Sequence, residues 1–214
     1  MFVCQSIEAA AYTHGKETIR ILDIGCSEAT MYGFIARNFQ FYGAKKIEYV
    51  GVDVRQSSLD AARALYGDEV TLVNLDLNEE TKLHEFFSEP FDVISAQQVL
   101  EHVGYDDAIE MLKSCNKLLV DAGQLVISAP NPRKHLGENF ISSNTGPGQF
   151  GRHAHIYEFS FDELEPILKD TGFHITDHLG AITRAMPWSV ENLDQDELPI
   201  GEMSKKFSYG FLPQ

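Results

Sequence analysis

The stretch ILDIGCSEAT, residues 21–30, decides the fold. An apolar, β-branched run reaches an acid at Asp23 and then Gly25, and the small residues Cys26 and Ser27 carry the chain into the next helical pattern. Glycine enters left-handed backbone at no steric cost, so the order of residues predicts a strand, a tight turn with outward-facing N–H groups, and a helix. Such a turn lets a ligand approach the main chain. Further on, VGVDV (Val50–Val54) reads as a second strand ending in Asp53, an acid suitably placed to accept hydrogen bonds from the vicinal hydroxyls of a ribose. Turn and acid together point to an adenosine-containing ligand. A pyrophosphate cofactor is disfavoured, because Ser27 and Thr30 stand where its fingerprint needs further glycines.

Around that stretch, five strand-like segments alternate with helical patterns. The strands are expected at Ile19–Gly25, Ile47–Val54, Val70–Asp76, Phe91–Ala96 and Gln124–Ala129. Helices are expected at Met31–Phe41, at Leu59–Tyr66 after the capping serines Ser57 and Ser58 and before Gly67, and at Ala108–Val120 before the turn Asp121-Ala122-Gly123. Ser160 and Glu163 form a capping-box pattern that starts a further helix, running to about Thr171 with Pro166 in its early turns. Regular alternation of this kind is the mark of an α/β fold, a parallel sheet covered by helices on both faces. Two stretches break the rhythm: Asn131–His155 and Met186–Ser204, rich in loop-forming residues. Loops of that length in a compact domain more often serve function than connection, and the first follows a strand's carboxyl end, where open parallel sheets bind ligands.

The chain has 214 residues, enough for one domain at 1–214 that buries roughly 70% of its unfolded surface, with loop insertions near 131–155 and 186–204. Three cysteines, Cys4, Cys26 and Cys115, are odd in number and widely spaced, which argues against a disulfide framework and for a reducing cytoplasm. No apolar run approaches the ~20 residues that span a bilayer, and the opening MFVCQSIEAA lacks the basic start of an export signal. A formal net charge of −15, from 32 acidic against 17 basic residues, opposes undirected binding to phosphate backbones.

From about Ile19 to Phe173 the order of segments resembles the class I S-adenosylmethionine-dependent methyltransferases. Their first motif is a strand, an acid and a D-x-G-C-G-x-G turn, matched here by Asp23, Gly25, Cys26, Ser27 and Ala29, with small residues in place of the second and third glycines. VGVDV is similar to the ribose-binding strand, with Asp53 and Val54 at its end. NLDL (Asn74–Leu77) is similar to the segment in which an acid, here Asp76, meets the adenine amino group and the following backbone, at Leu77, meets the ring. FDVISAQQVLEHV (Phe91–Val103) resembles the fourth strand and the turn that pass the methionine part of the cofactor, through Ala96, Gln97 and Gln98. The resemblance implies S-adenosylmethionine as cofactor and a Rossmann-like, mostly parallel sheet of seven strands whose last strand is antiparallel. It also implies that the side chains of Ser27 and Ala29 crowd the methionine moiety.

Methyl transfer from a sulfonium is an in-line displacement, so it needs a positioned acceptor and, for a protonated acceptor, a base. Candidates are Glu101 and His102, which with Gln98 share one face of a helix starting near Gln98, and His155 in the segment GRHAHIYEFS (Gly151–Ser160). The pattern is closest to the ubiquinone-biosynthesis-type O-methyltransferases, and less so to small-RNA 3′-end methyltransferases. Relatives of both kinds carry E-x-x-E-H here and bind a divalent metal, and in the RNA enzymes a later R-H-x-x-H-like segment completes the site, to which Arg152, His153 and His155 are similar. Gln98 stands in place of the first acid, which argues against the metal. The acceptor is expected to be a hydroxyl or amine of a small molecule; an RNA end, or a non-catalytic module that binds the cofactor and acts through a partner, are the alternatives. Acceptor choice is assigned to the loop 131–152, the segment Met186–Ser204 with Trp188, the amino-terminal helix, and the aromatics Phe140 and Phe150.

Overall fold

The computed structural model describes residues 2–13, 15–38, 43–77, 83–130 and 155–178. The expected roles of residues 131–154, with Phe140, Phe150, Arg152 and His153, and of Met186–Ser204 with Trp188, lie outside the described residues. The chain divides into Met1–Phe173, which carries every element named below, and His174–Gln214, of which residues 174–178 are described and hold no regular structure. No helix among the described residues is long and apolar enough to cross a membrane.

The element order is α1 (Phe2–Glu8), a π-helical turn (Ala9–Thr13), β1 (Thr18–Ile24), α2 (Thr30–Asn38), β2 (Lys46–Asp53), α3 (Gln56–Tyr66), β3 (Val70–Asn74), β4 (Phe91–Gln97), a 3-10 turn (Leu100–His102), α4 (Tyr105–Leu118), β5 (Leu119–Ser128) and α5 (Phe161–Asp170). The strands lie in the order β3-β2-β1-β4-β5. Every pairing is parallel, and Ile21 lies opposite both Tyr49 and Val93. β1 has neighbours on both sides and is covered on both faces, which is why its apolar residues Ile19, Ile21, Leu22 and Ile24 fall on both of its sides. Its residues still divide by the two-residue period: Leu22 and Ile24 enter one core with Phe91, Ile94, Met111 and Leu112, while Ile19 and Ile21 enter another with Ile7, Ile35, Tyr49 and Leu59. Two helical layers therefore sandwich the sheet, with α4 on one face and α1, α2 and α3 on the other.

Several expectations are corrected. The described residues hold five strands, all parallel, in place of seven with an antiparallel last strand; after α5, residues 173–178 join no strand. α3 begins at Gln56 with Arg55 as its cap, so Ser57 and Ser58 sit inside the helix and cap nothing; Gly67 does end it, at φ 55°, with its N–H donating to the Arg63 carbonyl. The segment Asp121-Ala122-Gly123 is not a turn ahead of β5 but an irregularity within it: Leu119 pairs with Phe91, and the next matched pair is Gln124 with Val93. Ala122 takes φ 59°, which absorbs the surplus residues.

β1 lies between β2 and β4: from β1 the chain proceeds through β2 to β3 at one edge, then crosses back over to β4 on the other side of β1 and on to β5. The crevice beyond the carboxyl ends of β1 and β4 is thus the switch point at which sheets of this topology bind ligands.

Candidate functional site

β1 ends at Ile24, and Gly25 turns the chain with φ 71°. Its N–H and that of Cys26 both donate to the Val52 carbonyl, at 2.8 and 3.0 Å, which pins the turn to the end of β2. Gly25 has no room for a side chain: a Cβ there would lie 2.6 Å from Cγ2 of Val99. The turn after β1 consequently packs on the segment after β4, one residue before the 3-10 turn that carries Glu101 and His102.

Ser27 and Ala29, standing where the family pattern has glycines, keep left-handed backbone, with φ 51° and 53°. Ala29 is fully buried in the core beneath the turn, so its methyl group faces inward and does not crowd the crevice. Ser27 is partly exposed, and its N–H donates to Oδ2 of Asp53 at 2.8 Å. Cys26 is buried against the bare backbone of Gly51, where a Cβ would lie 2.7 Å from its Sγ, and burial pushes its thiol up to about 12.

Asp53, at the end of β2, is 6% exposed. Each carboxylate oxygen accepts one backbone N–H, from Ser27 on Oδ2 and from Arg55 on Oδ1, both at 2.8 Å. Arg55 Nε lies 3.5 Å from Oδ1 as well, so Oδ2, with the Ser27 N–H alone on it, keeps the more open acceptor positions for a ligand's hydroxyls. Asn74 locks this end of the sheet by donating to the carbonyls of Asp53 and Val54 at 3.0 and 2.9 Å. Val54 is left 55% exposed, an apolar surface directly beside the acid, and Asp76 and Leu77 follow the end of β3, partly exposed. These features fit adenosine: a pre-oriented acid for the ribose, an apolar face and a further acid for the base.

Asp23 lies deeper. It is 5% exposed and accepts a hydrogen bond from the Tyr49 hydroxyl at 2.5 Å. Burial raises its carboxyl from the ordinary range to about 7, against the lowering effect of the Tyr49 hydroxyl. Ala96 is fully buried at the end of β4, and the exposed Gln97 donates from Nε2 to the Val126 carbonyl at 3.2 Å.

The expected helical face made of Gln98, Glu101 and His102 does not form. Gln98 takes φ 55°, which a helix does not accommodate, and it is tied to β5 instead: its N–H donates to the Ser128 carbonyl at 2.8 Å and its Nε2 to Ser128 Oγ at 3.2 Å. Glu101 and His102 sit on the 3-10 turn that follows. Glu101 is 1% exposed; burial raises its carboxyl above the ordinary range, and Oε2 has no hydrogen-bond partner among the described residues. Its carbonyl accepts the N–H groups of Ile156 and Tyr157, at 2.7 and 3.4 Å, and so draws in the segment that carries His155. The rings of His102 and His155 meet edge to face, with centroids 5.1 Å apart. Ligand atoms of Glu101, His102 and His155 lie within 4.8 Å of one another. Nδ1 of His155 is hydrogen-bonded to Oε1 of Glu158.

The structure thus brings the three expected catalytic residues together and sets Gln98 apart. It adds Tyr49, Arg55, Asn74 and Glu158, which the sequence reading missed. Only Glu158 had a local signal, the histidine-to-acid spacing in HIYE.

A family model described as a methyltransferase domain matches residues 2–178. A ubiquinone biosynthesis O-methyltransferase of Rhodopseudomonas palustris (strain BisB5) is 26% identical over 167 residues, 77% of this chain and 62% of that protein. A protein of the same name from Hahella chejuensis is 32% identical over 134 residues, 61% of this chain and 50% of that protein. The chain therefore spans between half and two thirds of these relatives' length. Among solved structures, an S-adenosylmethionine-dependent methyltransferase from Clostridium acetobutylicum superposes with a TM-score of 0.61 at 13% identity, covering 85% of this chain and 83% of that one. Magnesium protoporphyrin IX methyltransferase from Synechocystis, solved with bound SAH, gives 0.55 at 20% identity, covering 82% and 74%. At these identities the likeness speaks for the fold.

Proposed function

The chain belongs to the methyltransferase-domain family, and we propose that it transfers the methyl group of S-adenosylmethionine to a hydroxyl or amine of a small molecule. The observation that carries this reading is the junction at Gly25. A turn built around a ribose-type acid packs, through Val99, against the turn that presents Glu101 and His102.

In this reading Asp53 holds the ribose hydroxyls, Asp76 and Leu77 meet the adenine, Val54 packs beside it, and the Gly25–Ser27 turn and the Ala96–Gln98 segment pass the methionine part. When bound, the cofactor supplies a sulfonium methyl open to in-line attack. The chain's share is to orient the acceptor and exclude water, which supplies much of the rate in such displacements. His102 or His155 receives the acceptor's proton on a ring nitrogen. Glu158 fixes which ring nitrogen of His155 faces its surroundings, by holding Nδ1.

A second reading, a divalent metal at the same place, is favoured by one observation: Oε2 of buried Glu101, without a hydrogen-bond partner among the described residues, stands with two imidazoles. Glu101, His102 and His155 would hold the ion, and the set fits one, with positions left open for an acceptor oxygen whose ionisation the ion would assist. Gln98, turned to Ser128, adds no donor.

The test is a transfer assay with radiolabelled S-adenosylmethionine against pools of phenols, amines and RNA, beside calorimetry with S-adenosylhomocysteine (SAH). Labelled small-molecule product is expected; cofactor binding without labelled product in any pool would point to a non-catalytic binding module. Undiminished transfer after chelation with EDTA would remove the metal reading and leave the imidazole base.

A further inference from the structure

We propose that Arg55 is a positioning residue of the turn between β1 and α2, a guanidinium strap that ties the hydroxyl of Ser27 to the carboxylate of Asp53. The proposal rests on the reading that this turn and Asp53 hold the adenosine part of S-adenosylmethionine. Three residues of the turn, Gly25, Ser27 and Ala29, have positive φ. Glycine adopts that backbone freely, whereas serine and alanine are strained in it and need surroundings that hold them there. Ala29 is held by complete burial. Ser27 is partly exposed, and its tethers come from the end of β2: its N–H donates to Asp53 at 2.8 Å, and Arg55 Nη2 donates to its Oγ at 2.9 Å.

Arg55 is well placed for this. Its own N–H is fixed to Oδ1 of Asp53 at 2.8 Å, and its Nε lies 3.5 Å from the same oxygen. One planar group thus faces both the acid and the hydroxyl, a geometry that the single point charge of lysine does not reproduce. The side chain is 44% exposed, so packing does not explain its position. Arg55 supplies from outside the turn what a glycine at position 27 would supply from within. It acts through Ser27 and Asp53, on the shape of the cofactor loop.

The experiment is calorimetric titration of the full chain with SAH, which needs no knowledge of the acceptor. Arg55→Ala is expected to weaken binding about tenfold, the size of one lost charge-assisted tether, and Arg55→Lys to fall with it. In the Ser27→Gly background the Arg55→Ala loss is expected to shrink below about twofold, whatever Ser27→Gly does alone, because residues coupled through one contact are not additive. A merely structural arginine would show the same loss in both backgrounds, and that result overturns the proposal. Arg55→Ala binding as well as the wild type, or more tightly as expected of a guanidinium that competes with the ribose for Asp53, overturns it too. Asp53→Ala separates this from the underlying reading: if Asp53→Ala binds SAH as the wild type does, or the wild type binds none, the reading of the site falls and the strap with it.

Discussion

Asp53 is ordered before any ligand arrives, because two backbone N–H groups and, at 3.5 Å, Arg55 Nε already face its carboxylate. Replacing it by alanine would remove the hydrogen bonds proposed to the ribose and also frees the N–H groups of Ser27 and Arg55. Hydrogen bonds to a charged group contribute about 1.5–3 kcal/mol, so Asp53→Ala should lower SAH affinity by roughly 10- to 100-fold, measured by calorimetry. Gly25 makes a stability prediction. Gly25→Ala forces a side chain into φ 71° backbone and toward Val99 Cγ2 at 2.6 Å, and should cost about 1–3 kcal/mol in denaturant unfolding. Val99→Ala added to it should recover the steric part of that loss and leave the backbone part. The tight turn at Gly25 and the acid that closes β2 were legible in the sequence because each stands where its own strand ends. Arg55, Asn74 and Tyr49 were not, because their partners lie across the sheet: Arg55 on Ser27, Asn74 on the end of β2, Tyr49 on Asp23. Nothing in a one-dimensional pattern marks such pairs.

At the scale of elements, local chemistry was readable wherever the cap and its partner are close in sequence. α5 starts where its pattern places it: Glu163 Oε2 accepts the N–H of Ser160 at 2.9 Å and its hydroxyl at 2.6 Å. Pro166 sits six residues into the helix without ending it before Asp170. Ser160→Ala should therefore cost about 1 kcal/mol, as a lower denaturation midpoint with unchanged slope. α3 shows the opposite outcome. Its end at Gly67 was legible, but its start was drawn to two serines, although the chain turns helical just after Arg55, where Asp53 fixes the backbone. The turn after β4 was misread for a related reason. Three- and four-residue spacing makes Gln98, Glu101 and His102 look like one helical face, yet Ser128 of β5 holds Gln98 in left-handed backbone, and only a 3-10 turn follows. Glu101 and His102 still meet His155, because the Glu101 carbonyl binds the N–H groups of Ile156 and Tyr157. These three residues lie together, but by a geometry other than the helical face expected.

At the scale of the molecule, the order β3-β2-β1-β4-β5 places β1 in the middle, and that strand carries a buried acid, Asp23. An ionised Asp23 would sit beside the Tyr49 ring, the Cys26 thiol and the negative Asp53, so burial favours its neutral form and raises its carboxyl from the ordinary carboxylate range to about 7. The consequence for stability has a definite sign. Below about pH 4 the carboxyl is protonated in both the folded and the unfolded chain and contributes no difference. Between about pH 4 and 7 the unfolded chain releases this proton while the folded chain keeps it, so folding stability falls by about 1.4 kcal/mol for each unit that separates the two values, and above about pH 7 the loss is complete. The net charge of −15 reflects many other acids that also titrate in this range, so the comparison has to be differential. Asp23→Asn keeps the shape and removes the titration. Its stability relative to the wild type, from urea unfolding at a series of pH values, should rise from pH 4 to pH 7 and then level off. A relative stability that stays flat across that interval would mean that Asp23 ionises within the fold at its ordinary pH, and that the buried end of β1 is more hydrated than the packing of Tyr49, Cys26 and Ile24 allows.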